Sequence, residues 1–169
     1  STDPECGTVF RKRNPDSRRM VVTAWDPRVD TNSPLPPCHL MFILNSQERD
    51  NPNCAHIDGT DACKNRTLNL HLTQRSADIA LGVPYNIAGY ALLLHLFARF
   101  SGQQVGKFAH SIVDAHIYCC KSRENLSECW QRPVGDHEES CHVLGLKQQI
   151  AREPLALPQL TIDPVVKDL

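Results

Sequence analysis

Cys38 follows Leu35-Pro36-Pro37 and precedes His39 at the entry to an apolar run. Proline fixes the backbone, so the approach to this cysteine is held in one direction. A thiol attacks as its thiolate, which a neighbouring positive charge or hydrogen-bond donors favour. Arg75, within Gln74-Arg75-Ser76-Ala77-Asp78, offers that charge if the strands carrying the two residues pair. By itself a buried cysteine is commonly a small hydrophobe, so Cys38 takes its chemical meaning from its companions. Arg18, Arg19, Arg75 and Ser76 suit a phosphate monoester, whose acceptor oxygens guanidinium groups satisfy in pairs; arginines before a strand can also be plain surface charge. Asn86, in Gly82-Val83-Pro84-Tyr85-Asn86-Ile87-Ala88, carries a donor and an acceptor on one amide. That matches the O4 and N3–H edge of uracil, and cytosine presents the opposite polarity. A helix-start asparagine can instead cap its own turn. His116 and Tyr118, two apart on a strand, point the same way and can share one hydroxyl.

The elements that must position these groups are legible in the pattern. Met20 to Trp25 predicts a buried strand, and Asp26 to Pro37, with its prolines and Asp, Asn and Ser content, a loop. His39 to Leu44 reads as a second strand. Leu68, Leu70 and Leu72 alternate with Asn69, His71 and Thr73 in a third, half-buried one. The second and third strands should form a hairpin whose connection, about residues 45–66, is an insertion far longer than hairpins use. Pro84 opens a helix running to about Phe100 and stopping before Gly102. Its Leu and Ala residues surround it, which predicts a helix in the centre of the domain. Ser111 to Tyr118 reads as a further strand, and residues 119–141 as a second, polar insertion. His142 to Arg152 fits a short surface helix stopped by Pro154, and Leu160 to Ile162 an edge strand. Strands and helices without regular βαβ alternation predict an α+β fold in a single domain.

Composition narrows the partners. A chain of 169 residues with a formal net charge of −1 suits one domain with a real core and offers no general attraction for nucleic acid or acidic lipid. Basic residues cluster only locally, as in Arg11-Lys12-Arg13. No apolar run approaches the ~20 residues that span a bilayer. No basic and then apolar leader is visible at the N-terminus. Eight cysteines in 169 residues lie below the ~8–10% of a small disulfide scaffold, so a reducing, cytoplasmic setting is expected.

In this order the motifs around Cys38, Arg75, Asn86 and His116-Ile117-Tyr118 resemble the thymidylate synthase family. The resemblance covers Asn14 to Leu44, Leu68 to Tyr118 and His142 to Pro164, with the insertions unmatched. It implies an α+β fold with a mixed sheet around a central helix, and a homodimer formed through the sheet. It also implies reductive methylation of dUMP to dTMP with 5,10-methylenetetrahydrofolate as cosubstrate and no metal. Cys38 would add to C6 of dUMP, with Arg75, Asn86 and His39 in supporting catalytic positions. Arg75 and Ser76, beside Gln74, would hold the phosphate. Asn14 to Trp25 is similar to the family segment whose arginines, here Arg18 and Arg19, cross the dimer interface to the partner's phosphate site. His116 and Tyr118 would take the 3′-hydroxyl, and Asp78 with Gly82 would border the folate.

The family pattern also includes an upstream segment with a phosphate-loop arginine, a glutamate and a tryptophan, and a C-terminal segment that closes over the folate. Neither has a counterpart in these residues, and the expectation is that this chain alone is weakly active or inactive. Other readings stay open. A deoxyuridylate hydroxymethylase shares the addition step but lets water capture the one-carbon unit. A truncated relative would bind nucleotide or RNA without turnover. The insertions gather Cys54, His56 and Cys63 in one, and Cys119, Cys120, Cys129, His137, Cys141 and His142 at the other. Zinc takes four such ligands, but no spacing here is a CxxC knuckle, so reduced, solvent-facing loop cysteines are expected.

Overall fold

The computed structural model describes residues 14–28, 34–48, 66–120, 126–137 and 139–163. The Arg11-Lys12-Arg13 run and the Cys54, His56, Cys63 group lie outside them. Four strands, β1 (Val21–Thr23), β2 (His39–Glu48), β3 (Arg66–Asp78) and β4 (Gln104–His116), form one sheet in the order β1-β2-β3-β4. The β1/β2 and β2/β3 pairs are antiparallel, and β3/β4 is parallel. Helix α1 (Gly82–Ser101) makes the crossover between β3 and β4 that a parallel pair requires. The fold is α+β as predicted, with one βαβ unit inside an otherwise antiparallel sheet.

The leucine alternation read in the sequence is the core. Leu68, Leu70 and Leu72 of β3 are buried, with Leu44 of β2, beneath Leu94 and Ala98 of α1. Phe42, Tyr90, Phe97 and Phe108 close around them. Two local devices fix α1. The Asp78 carboxylate accepts the backbone N–H groups of Ala80 and Leu81, at 3.1 and 3.2 Å, just ahead of the helix. At the other end Gly102 takes φ 66°, the left-handed conformation glycine adopts without strain, and its N–H returns to the last turn.

The strands β2 and β3 are longer than the pattern predicted, so Gln74 to Asp78 lies within β3 rather than after it. Their pairing as a hairpin is as expected, and its connection falls outside the described residues. Several expectations are corrected. The predicted buried strand at Met20–Trp25 shrinks to β1, a sheet edge whose Val21 and Val22 are about half exposed. Helix α1 is not enclosed: it covers one sheet face, and Tyr85 and Leu92 on its outer side are exposed. Tyr118 lies past the end of β4, and Leu160 to Ile162 forms no strand. The second insertion is not all solvent-facing loop. It contains α2 (Leu126–Gln131) and a 3-10 turn at Val134–Asp136, and leads into α3 (Val143–Ile150). Cys120, Cys129, Cys141 and Val143 make a second small buried cluster there.

Candidate active site

The β2/β3 register sets His39 opposite Gln74, so the turn into β2 meets the Arg75 backbone. Arg75 N–H donates to Cys38 O at 3.0 Å. Its side chain then reaches back over the proline pair: Nε donates to Pro37 O at 3.1 Å and Nη2 to Pro36 O at 2.7 Å. Both carbonyls precede β2 and so lie outside its ladder, free to accept these bonds. The guanidinium is thereby fixed on the segment that leads into Cys38, whose half-buried thiol is in no disulfide. The expected pairing of the two strands brings these residues together at the backbone, and a bidentate side-chain brace that spacing alone did not reveal is added to it.

Behind this pair lies a buried polar chain. Gln74, 1% exposed, donates from Nε2 to Asn86 Oδ1 at 3.2 Å. Its Oε1 lies 2.6 Å from His110 Nε2. A carbonyl oxygen can only accept, so His110 donates from Nε2. Burial, followed by the neighbouring charges of His39 and His71, pushes the His110 pKa down, which keeps the ring in the neutral form. His39 Nδ1 shares a hydrogen bond with Tyr90 Oη at 3.1 Å. Burial lowers the His39 pKa and raises that of Tyr90, so both stay uncharged near neutrality.

The remaining predicted residues divide into groups. Gly82 sits between Asp78 and Asn86: a Cβ there would lie 3.7 Å from Asp78 Cβ and 3.8 Å from Asn86 Oδ1, so glycine leaves that surface open. Asp78 Oδ2 is 3.0 Å from His142 Nδ1. Burial raises the Asp78 pKa, but His142 and the Ala80 and Leu81 amides outweigh it and the net shift is downward. The ring of Tyr118 meets His116 edge-on at 5.0 Å between centroids and His142 at 5.4 Å. Thus the His116/Tyr118 pair is assembled, although Tyr118 has left the strand. Ser76 is half-buried on β3 opposite Asp114 of β4.

Arg18 and Arg19 are not brought to Cys38. Leu44 N–H bonds to Met20 O, so these arginines lie by the far end of the β2 stretch that begins at His39. Five residues of strand separate them by roughly 17 Å. Both side chains are exposed and make no ion pair among the described residues.

Sequence reasoning missed the roles of Tyr90 and His110. Each carried a signal. Tyr90 is one helical turn beyond Asn86 and so shares its face. His110 falls between Phe108 and Ile112 on the inward side of β4, where a polar ring needs a partner.

A family model for thymidylate synthase matches residues 10–169. A curated relative, the thymidylate synthase of Haloferax volcanii, is 37% identical in an alignment covering 92% of this chain and 49% of that protein. The chain spans about half the length of the relative it matches. Cys38, Arg75, His116 and Tyr118 lie at or just beyond the same end of strands β2, β3 and β4, next to the start of the helix that carries Asn86, and with these matches the conclusion is direct: the chain belongs to the thymidylate synthase family.

Proposed function

We propose that this chain carries the nucleophile and nucleotide-reading part of a site that converts dUMP to dTMP. The observation that supports this most is the Arg75 brace across Pro36 and Pro37 beside Cys38. In this reading the Cys38 thiolate forms a bond to C6 of the uracil, and the electron pair of the C5–C6 double bond moves toward C5 and the O4 carbonyl. Arg75 stabilises the thiolate and the substrate phosphate, and Ser76 adds a hydroxyl donor. Fixed donors aimed at developing charge lower a barrier without reorganising. Asn86, whose Oδ1 already accepts from Gln74, offers Nδ2 to uracil O4. The amino group of cytosine is a donor and meets that edge unfavourably, which selects dUMP. His116 and Tyr118 bind the 3′-hydroxyl. Asp78 and Gly82 border the cosubstrate 5,10-methylenetetrahydrofolate, which supplies the one-carbon unit and the hydride.

The partner reading is a homodimer through the uncovered sheet face. Val21, Met41 and Val113, all exposed, suit burial against a second copy. Arg18 and Arg19, remote from their own Cys38, would then serve the partner's phosphate. No helix among the described residues is long and apolar enough to cross a membrane, and a cytoplasmic setting fits the free thiols. Incubation with 5-fluoro-dUMP and methylenetetrahydrofolate tests the reading. A covalent adduct mapping to Cys38 by mass spectrometry, absent in Cys38→Ser, is expected. Reversible nucleotide binding without an adduct would replace it with a non-catalytic relative. A hydroxymethyl rather than methyl product would move the reaction to hydroxymethylation.

A further inference from the structure

Cys120, Cys129, His137 and Cys141 come from separate local pieces of the second insertion: the segment after β4, helix α2, the end of the 3-10 turn and the residue before His142. Their ligand atoms nevertheless converge, all within 4.8 Å of one another. Cys129 Sγ lies 3.7 Å from Cys120 Sγ and 3.4 Å from Cys141 Sγ. His137 Nδ1 lies 3.3 Å from Cys141 Sγ, 3.8 Å from Cys120 Sγ and 3.9 Å from Cys129 Sγ. A tetrahedral zinc ion with its usual bond lengths would set sulfurs about 3.8 Å apart and sulfur to nitrogen about 3.6 Å apart. The observed nitrogen-to-sulfur edges bracket their value, and the two sulfur-to-sulfur edges fall just short of theirs. They are far longer than the ~2.05 Å of a disulfide.

A small apolar cluster of thiols is the plain alternative, but it gives no reason for an imidazole nitrogen to face three sulfurs. His137 Nδ1 is the ring atom that faces the sulfurs, while Nε2 is buried with no hydrogen-bond partner among the described residues. Two neighbouring candidates stay outside this group, although Cys119 packs against it. Cys119 Sγ points to Ile117 O at 3.7 Å, and His142 Nδ1 is engaged with Asp78. Four ligands remain, three of them buried cysteines. With four protein ligands the tetrahedron is complete, leaving no position for a water or substrate, as in structural rather than catalytic zinc centres. Three thiolates and an imidazole favour zinc over harder divalent ions.

We propose that Cys120, Cys129, His137 and Cys141 bind one structural Zn²⁺. The ion would close the second insertion onto the site, because its ligands are next to site residues in the chain. Cys120 is two residues beyond Tyr118, and Cys141 precedes His142, whose N–H bonds Tyr118 O at 2.9 Å and whose ring pairs with Asp78. The metal site itself stands apart from the nucleotide reading; only its positioning consequence rests on it.

Metal analysis of the protein purified without chelator should find about one zinc per chain. Cys129→Ser and His137→Gln should each lose most of it, whereas Cys38→Ser and Cys119→Ser should keep it. In case the ligand variants fail to fold, Co²⁺ exchanged into the unmodified protein gives a second readout. Intense d–d bands with thiolate-to-cobalt charge transfer are expected for a sulfur-rich tetrahedron. Zinc-replete expression yielding under a tenth of an equivalent, zinc retained by Cys129→Ser, or octahedral cobalt spectra would each overturn the proposal. Neither readout involves nucleotide, so its failure and failure of the dUMP reading are separately visible.

Discussion

Gln74 Nε2 donates to Asn86 Oδ1 at 3.2 Å, joining the buried face of β3 to the first turns of α1 and fixing which way the Asn86 amide points. Replacement by leucine keeps the volume but strands Asn86 Oδ1 and His110 Nε2. Gln74→Leu should cost about 1–3 kcal/mol in urea unfolding. It should also weaken dUMP binding by roughly tenfold and erode discrimination against dCMP, since the amide is then free to turn. Calorimetric titration with both nucleotides measures this, and unchanged selectivity would remove Gln74 from base recognition.

Arg75 acts through geometry as well as charge. Lysine keeps the charge but cannot donate from two fixed positions to Pro36 O and Pro37 O. Arg75→Lys should slow adduct formation at Cys38 by about 100-fold, the scale of losing one preorganised donor. Its stability loss should be only about 1–2 kcal/mol for the hydrogen bonds removed. Stopped-time mass spectrometry of the 5-fluoro-dUMP adduct gives the rate; wild-type kinetics would show the arginine to be a loop brace alone.

Gly106 is required by close approach. A Cβ there would meet Asn69 Oδ1 at 2.4 Å, Thr67 Cγ2 at 2.5 Å and Leu68 O at 2.6 Å. The residue sits where the β3/β4 register shifts, and Lys107 N–H is held by Asn69 Oδ1 at 2.8 Å. Gly106→Ala should destabilise the protein by about 1–3 kcal/mol through overpacking and loss of that bond. Urea denaturation of the two proteins side by side is the measurement.

Acid should weaken the fold in two windows. Burial lowers the His39 pKa, and burial with His39 and His71 lowers that of His110. The unfolded histidines therefore bind protons first, and stability present above about pH 6.5 is lost as pH falls through the folded values. Asp78, net-lowered against its burial by His142 and the Ala80 and Leu81 amides, contributes stability present above about pH 3.9 and lost as pH falls through its folded value. Unfolding free energy followed from pH 8 to pH 3 should show both declines. His39→Gln should shrink the first to the part His110 carries and leave the second in place.

Much of the scaffold was readable because its signals are local. Leu68, Leu70 and Leu72 alternate, Pro84 and Gly102 bracket a helix, and the order of Cys38, Arg75, Asn86 and His116/Tyr118 marks the family. Burial was read less well. Met20 to Trp25 is apolar enough for a core strand, yet its place in the sheet is an edge, and sheet position is decided by partners distant in sequence. Likewise the leucines around α1 did not specify which side of the helix meets the sheet.

The sequence by itself determined which groups exist: a thiol after two prolines, an arginine one hairpin away, an amide at a helix start. Only the tertiary structure decided what each of them holds. Arg75 braces Pro36 and Pro37 because an antiparallel register brings it there, and Asn86 faces one way because Gln74 and His110 converge from two strands. The same is true of Cys120, Cys129, His137 and Cys141. Their irregular spacing conceals a tetrahedron, since ligand geometry depends on how α2, the 3-10 turn and the start of α3 fold back, not on intervals along the chain.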